Sequence, residues 1–525
     1  MIRRRSRKIR RLGSSGEVLT VRAAVMTRGM SRRVPASALV VLWAVIMAAV
    51  VVAQGNTQPL SVLMGFVMGS FVLVMKGPAF AVVPMLLSEV TNPAARFQIV
   101  SINLSFVAVL GATGLSLVAI LREPWLKDPQ ARRVLLPAVM FVAVSTVVNL
   151  SFSNDDYSLR YLRYQIIQLL ALVVVGSVLR QRRDLRSVAG MTLAMVVLSA
   201  IVAAWQHYAP EAALYAGLDG ARVARWEGRS MGLSSSPILL GNQLPSVLVP
   251  LLALLAFGPL RRDRTRLVLW AAACVLAIGV VFNATRSVPL AVAVGVVVIG
   301  LLLRGKRRLA IFGVLILLGV LYLLLSGTGL VPARFYESGD VSAANRVALW
   351  EVGLAMILDN AVIGVGHEQF EELAMEYSDV VSEDVVAVGG AAAVGRDRPH
   401  NDFLNVWLSW GILGFAAYVA LLLSTLVNCV KAMRSKDVLI HGLAIGCAAG
   451  VVAYAVNSSF HNYLDSSIFM WIYAGLSVAL ARMADKSHRV AWYGRKPRVV
   501  RRLAVGAVGQ GFRRSRHDHY PVSGQ

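Results

Sequence analysis

The feature that most constrains this chain is a succession of apolar blocks, most of them about 16–23 residues long and each closed by charge or by a Gly/Pro turn. Written as helix, a block of that length crosses the roughly 30 Å hydrocarbon core of a bilayer. The blocks fall near 36–53, 59–75, 78–90, 98–120, 133–151, 161–179, 188–205, 236–258, 266–283, 287–303, 309–326, 402–424, 438–456 and 467–482. The expected fold class is therefore all-α: a polytopic transmembrane helix bundle of about 12–14 spans. The block at 78–90 is the weakest, being short and holding Pro84. A re-entrant hairpin there would bring the count down to about twelve.

Composition agrees. Of 525 residues, 57% are hydrophobic and 15% charged, against about 45–50% and about 25% in soluble domains. The formal net charge of +25 would suggest nucleic acid on a soluble protein. Here the Lys and Arg residues sit in two tails and in short turns between blocks, so the charge reads as membrane topology and attraction to anionic lipid, not nucleic-acid binding. Cys274, Cys429 and Cys447 lie in or beside apolar blocks without metal-ligand or CxxC spacing.

The basic turns set the orientation. With the Arg-rich N-terminus in the cytoplasm, the turns at 180–186, 261–266, 304–308 and 431–436 also fall inside, and the turns at 54–57 and 154–157 outside carry few Lys or Arg. Both termini are then cytoplasmic. The expected organisation is a basic tail at 1–33, a bundle of about eleven spans at 34–326, a large extracytoplasmic loop with short helices at 327–401, three further spans at 402–482 and a basic tail at 483–525.

Of five polar phrases, four converge on the outer side by this count. The loop holds Asn345-Arg346-Val-Ala-Leu-Trp350 and, after Gly364-Val-Gly366, the phrase Arg398-Pro-His400-Asn401. Arg346, Trp350, Leu354 and Ile357 recur at helical spacing, as in an amphipathic helix at a membrane surface. His400 can take a proton from a hydroxyl at neutral pH. Asn283-Ala-Thr-Arg286-Ser-Val-Pro289 pins an arginine in a short turn, and a guanidinium fork suits phosphate oxygens. The stretch from Arg229 to Asn242 enters a span from outside, and Asn457 to Asp465 forms the last outer turn, with His461 and Asp465 as polar partners. For each residue a plain structural role competes: a snorkelling Arg, a surface His. No Asp-rich metal motif or Walker loop is present, so a transfer without metal, ATP or other cofactor is the simplest version.

In their order, Arg286, Arg346 with Trp350, Gly364-Val-Gly366, and His400-Asn401 with Gly411-Ile-Leu-Gly414 resemble the O-antigen ligase and O-antigen polymerase superfamily. The stretch Arg229 to Asn242 is similar to its Arg-x-x-Gly turn. Thr285-Arg286-Ser287 stands where ligases commonly carry Ser-Arg-Gly, and Ser236-Pro237 where many relatives carry Asn-Pro. The resemblance implies a bacterial plasma-membrane glycosyltransferase. Its donor would be an undecaprenyl-diphosphate-linked glycan, and its acceptor a sugar hydroxyl on a glycan or lipid. It implies that Arg286 and Arg346 bind the donor diphosphate and that His400 is the catalytic residue at the acceptor hydroxyl. Arg229, Asn401, Trp350 and Asp465 would support them. Two other readings stay open: a transporter or flippase for lipid-linked sugars, and a cell-wall glycan polymerase of the shape and division type. The last of these leans on an outer-loop carboxylate, for which Asp359 or an acid of the stretch 368–384 would serve, though the His400-Asn401 phrase argues against it; the acidic stretch has no role in the other readings.

Overall fold

The structure is a computed structural model. It describes residues 77–91, 104–122, 125–152, 156–210, 228–257, 263–303, 341–367, 369–464 and 466–494, with isolated residues between them. The blocks expected at 36–53 and 59–75, most of 309–326, the tail at 1–33, most of the tail at 483–525, and Asp465 lie outside the described residues.

Every apolar block that is described is helical, and no strand occurs among the described residues. A short 3-10 turn leads into α1 (Val82–Thr91); α2 is Leu104–Leu121, α3 Pro129–Phe152, α4 Asp156–Val178 and α5 Arg182–Tyr208. Then come α6 (Pro237–Phe257), α7 (Asp263–Asn283) and α8 (Ser287–Leu302). The loop region supplies α9 (Val341–Asn360), α10 (Gln369–Leu373) and α11 (Glu383–Ala387), and the chain closes with α12 (Asp402–Ala432), α13 (Val438–Ser458) and α14 (Phe469–Gly494). Helix α14 continues past 482 into the expected tail. At ten residues, α1 is shorter than the roughly 20 residues a crossing needs.

Eight described helices are long and apolar enough to cross a membrane. Their burial sorts them. The apolar windows of α6 and α13 are 78% and 72% buried, that of α7 only 28%, so α6 and α13 form the interior and α7 the periphery. The exposed residues on the periphery are apolar: Met140, Val147 and Leu150 on α3, Leu267 and Val268 on α7. Water would penalise such a surface and hydrocarbon would not.

Two prolines inside α6 show how the interior helices lock together. Pro245 and Pro250 cannot donate to the carbonyls four residues back. Those carbonyls find side chains instead: Asn457 Nδ2 donates to Gly241 O at 3.0 Å, and Tyr473 Oη donates to Ser246 O at 2.5 Å.

Helix α9 also qualifies as a span by length and composition, but it belongs to a separate core. Ala348, Leu349, Val352, Met356 and Ile357 pack with Phe370, Val381, Val385 and Val394 of the loop and with Leu408 of α12. Its opposite face exposes Val347, Leu354 and Leu358. This is the amphipathic helix that the spacing of Trp350, Leu354 and Ile357 suggests, with Leu354 on the outward face.

The segment that carries the acidic stretch is held by polar contacts, of which one involves an acid of the stretch, Glu371. Glu351 accepts from Ser382 N at 3.0 Å and Ser382 Oγ at 2.8 Å, Asp359 accepts from Tyr377 Oη at 2.9 Å, and Arg398 pairs with Glu371 at 3.3 Å. The short helices around 369–393 are thereby tied to α9 and to the approach to His400.

Candidate active site

The loop is anchored by a break in α12. Trp410 (φ −130°, ψ 18°) and Gly411 (φ 60°, ψ −168°) leave helical geometry, and the conformation of Gly411 is essentially open to glycine alone. The freed backbone groups bond to the segment that returns from α9. Val365 N donates to Leu408 O, Gly366 N to Ser409 O and Ile412 N to Ala361 O, at 2.9, 3.0 and 2.9 Å. A Cβ on Gly411 would lie 2.1 Å from Val362 O, and one on Gly364 would lie 2.6 Å from Gly411 N. The glycine phrases that carry the resemblance are thus the two halves of one backbone clamp.

The clamp, the α9 core and the first turns of α12 present His400. Asn401 caps α12, its Oδ1 accepting from Phe403 N and Leu404 N; its carbonyl oxygen is engaged in folding. Trp350 Nε1 donates to Pro399 O at 2.8 Å and so fixes the peptide before His400. His400 itself has φ 50°, and Ala284, two residues before Arg286, has φ 53°. They are the non-glycine residues with positive φ among those described. Such conformations cost of order 1–3 kcal/mol and gather at functional sites.

The other phrases reach the same end of the bundle. The His400 and His461 ring centroids are 6.5 Å apart, and His461 lies 5.4 Å from Tyr463. Burial pushes the Tyr463 phenol well up, and the charges of Arg229 and Arg346 partly oppose that shift. Both guanidiniums therefore act on one phenol. Arg229 Nη2 donates to Thr285 Oγ1 at 2.6 Å, beside Arg286, which occupies the N-cap position of α8. Ser287 Oγ donates to Asn457 Oδ1 at 2.7 Å, and Asn457 is the residue that satisfies the carbonyl freed by Pro245. Thr285 and Ser287, the two departures from the ligase pattern around Arg286, each hold a neighbouring phrase.

Electrostatics at His400 are directional. Burial first, then the charge of Arg346, hold its imidazole below the ordinary 6.5; Asp397 raises it and Arg398 lowers it further. The ring is neutral near pH 7, the form that accepts a proton.

Sequence reasoning passed over Asp402. It is fully buried and accepts from Leu464 N at 3.1 and 3.2 Å, joining the start of α12 to the turn that holds His461 and Tyr463. An acid one residue inside a helix reads as an ordinary first-turn residue; only the fold reveals its distant partner. His367 is another case. Its ring stacks on Tyr161 at 3.9 Å, and Tyr161 stacks on Trp410 at 5.2 Å, so it buttresses the clamp.

Fold and site together define a class: a polytopic helical membrane protein with a folded polar assembly at one end of its bundle. A family model described as O-antigen ligase matches residues 270–419. The match supports the resemblance to the O-antigen ligase and polymerase superfamily, and the matched segment contains Arg286, Arg346 and His400. No curated protein matches the chain.

Proposed function

We propose that the protein is a membrane glycosyltransferase of the O-antigen ligase and polymerase type. It passes a glycan from undecaprenyl diphosphate to a sugar hydroxyl on the outer face of the bacterial plasma membrane. The observation that carries this reading is the convergence of Arg229, Arg346, Tyr463, His461 and a neutral His400 at one end of the bundle, next to the Thr285-Arg286-Ser287 turn. Cations there suit a diphosphate and a neutral imidazole suits a hydroxyl.

In the reaction the acceptor oxygen bonds to the anomeric carbon as the bond from that carbon to the diphosphate oxygen breaks. The hydroxyl proton passes to His400 Nδ1 or Nε2. Undecaprenyl diphosphate departs as an anion stabilised by Arg286 and Arg346. Trp350 positions His400 through Pro399, Asn401 caps the helix that follows, and Arg229 braces the turn bearing Arg286. The apolar outer face of α9 rests on the membrane surface, where a polyprenyl chain leaves the bilayer.

The test is transfer of a lipid-linked glycan by the purified protein in detergent or nanodiscs. His400→Ala and Arg286→Ala are each expected to lower the rate by about 10²-fold or more. Full activity in both would remove the site assignment. Passage of lipid-linked glycan across vesicles without covalent transfer would favour a flippase instead.

A further inference from the structure

Two large aromatic rings stand at the candidate site without a place in an apolar core. Trp410, Tyr418 and Trp471 are fully buried in the main core of the bundle, and Trp407 packs against the core built on α9. Trp350 and Phe460 join none of the three apolar cores among the described residues. Both are half-buried. They meet each other instead, with ring centroids 6.1 Å apart and planes inclined at 50°. A ring left partly open forgoes the gain of full burial.

Their anchors fix where the pair sits. Trp350 Nε1 donates to Pro399 O, the carbonyl that leads into His400. Phe460 lies just past the end of α13. Its N–H donates to Asn457 O at 3.1 Å, and the Asn457 side chain is itself held by Ser287 Oγ and Gly241 O. His461 follows directly, with its ring centroid 6.5 Å from that of His400. One ring is therefore bonded to the peptide before His400, and the other is the chain neighbour of the ring that His400 meets. His400 is half-buried as well. Rings whose positions are set in advance bind a ligand at a low ordering cost.

The chemistry of the pair narrows its ligand. A pyranose ring carries hydroxyls on its rim and C–H groups on its faces. Those C–H groups are apolar and weakly positive, and the negative face of an aromatic ring attracts them. Small-molecule sites combine such rings with a few placed polar groups, here His400. A polyprenyl chain has no polar rim for His400 to engage.

We propose that Phe460, together with Trp350, forms the subsite for the acceptor sugar, which packs a C–H face on these rings while its hydroxyl meets His400. This assignment rests on the glycan-transfer reading. Phe460 holds the acceptor and takes no part in proton transfer.

The test has two arms, both on the full-length protein in nanodiscs. In the first, saturation-transfer NMR reads contact with the methyl glycosides of glucose, galactose, mannose and N-acetylglucosamine, with glycerol as the control. At least one glycoside is expected to receive saturation on its ring C–H protons, in the wild type and in Phe460→Tyr, which keeps the flat ring. Phe460→Leu, which stays apolar but loses the face, should weaken that contact about fivefold; Phe460→Met replaces it if that variant does not fold. In the second arm, glycan transfer, Phe460→Leu should raise the acceptor KM about fivefold with kcat little changed, and Phe460→Tyr should restore it. No glycoside saturated above glycerol in the wild type would overturn the proposal. So would equal saturation in Phe460→Leu, or a defect of that variant confined to the donor KM or to kcat. Glycoside contact that depends on Phe460, in a protein that transfers no glycan, would support the sugar subsite and remove the transfer reading.

Discussion

Replacing Gly411 by alanine tests whether the broken helix holds the loop in place. The residue sits at φ 60° and ψ −168°, and an added Cβ meets Val362 O at 2.1 Å and Val362 C at 2.5 Å. These are backbone atoms, which have no rotamer to give. The returning segment 361–366 must move, and with it go the hydrogen bonds of Val365 N, Gly366 N and Ile412 N. At about 1 kcal/mol net for each bond, and about 1–3 kcal/mol for the backbone strain, the clamp loses about 4–6 kcal/mol. That is a large fraction of a typical domain's stability, but it falls on the junction between the loop core and α12, not on α6 and α13. Hydrogen exchange at the three clamp amides should therefore quicken by about 10³-fold or more, with amides inside α13 little changed. Protease sensitivity of 361–401 should rise in parallel. Unchanged exchange at Val365, Gly366 and Ile412 in Gly411→Ala would refute the argument that the glycine conformation sustains the clamp.

Trp350→Phe keeps the ring but removes the donor to Pro399 O; losing about 1 kcal/mol of positioning should slow glycan transfer about fivefold at saturating donor, measured in the purified system. The pH–rate profile should have an acid limb below 6.5, because burial and Arg346 depress the His400 pKa from that value, and the limb should be absent from the residual activity of His400→Ala. The same depression means that the unfolded chain binds the proton more readily than the native one. Stability from this group is thus full above 6.5 and declines as pH falls through the lower native pKa, which a Tm series in wild type and His400→Gln would register. Asp402→Asn leaves an amide among donors, with Leu464 N–H and Tyr454 Oη–H facing it. It should destabilise the protein by about 2–3 kcal/mol, seen as a lower Tm.

Much of the architecture was legible because hydrocarbon imposes length and hydropathy on each segment separately. The blocks at 133–151, 188–205 and 438–456 needed no partner to be recognised, and α3, α5 and α13 contain them. The amphipathic spacing in α9 was legible for the same reason. Where a block was short, at 78–90, its length and Pro84 flagged it, and α1 at ten residues is shorter than a crossing needs. The candidate site was legible in part. Arg346, Trp350 and His400 stood out in the phrases of the loop between blocks, but Asn401 had no visible signature separating a cap from a ligand.

The sequence by itself determined the helical class and the order of the helices, because each apolar run must satisfy its own backbone in a bilayer. It also named most of the polar residues gathered at one end of the bundle. Only the tertiary structure decided which of them meet. Asp402 and Leu464, Ser287 and Asn457, and Arg229 and Thr285 are far apart in the chain, and their pairing depends on how α6, α8, α12 and α13 pack. The glycine phrases became one clamp, and Phe460, silent in the sequence, came to stand against Trp350. Such contacts arise from packing between helices, which local periodicity does not encode.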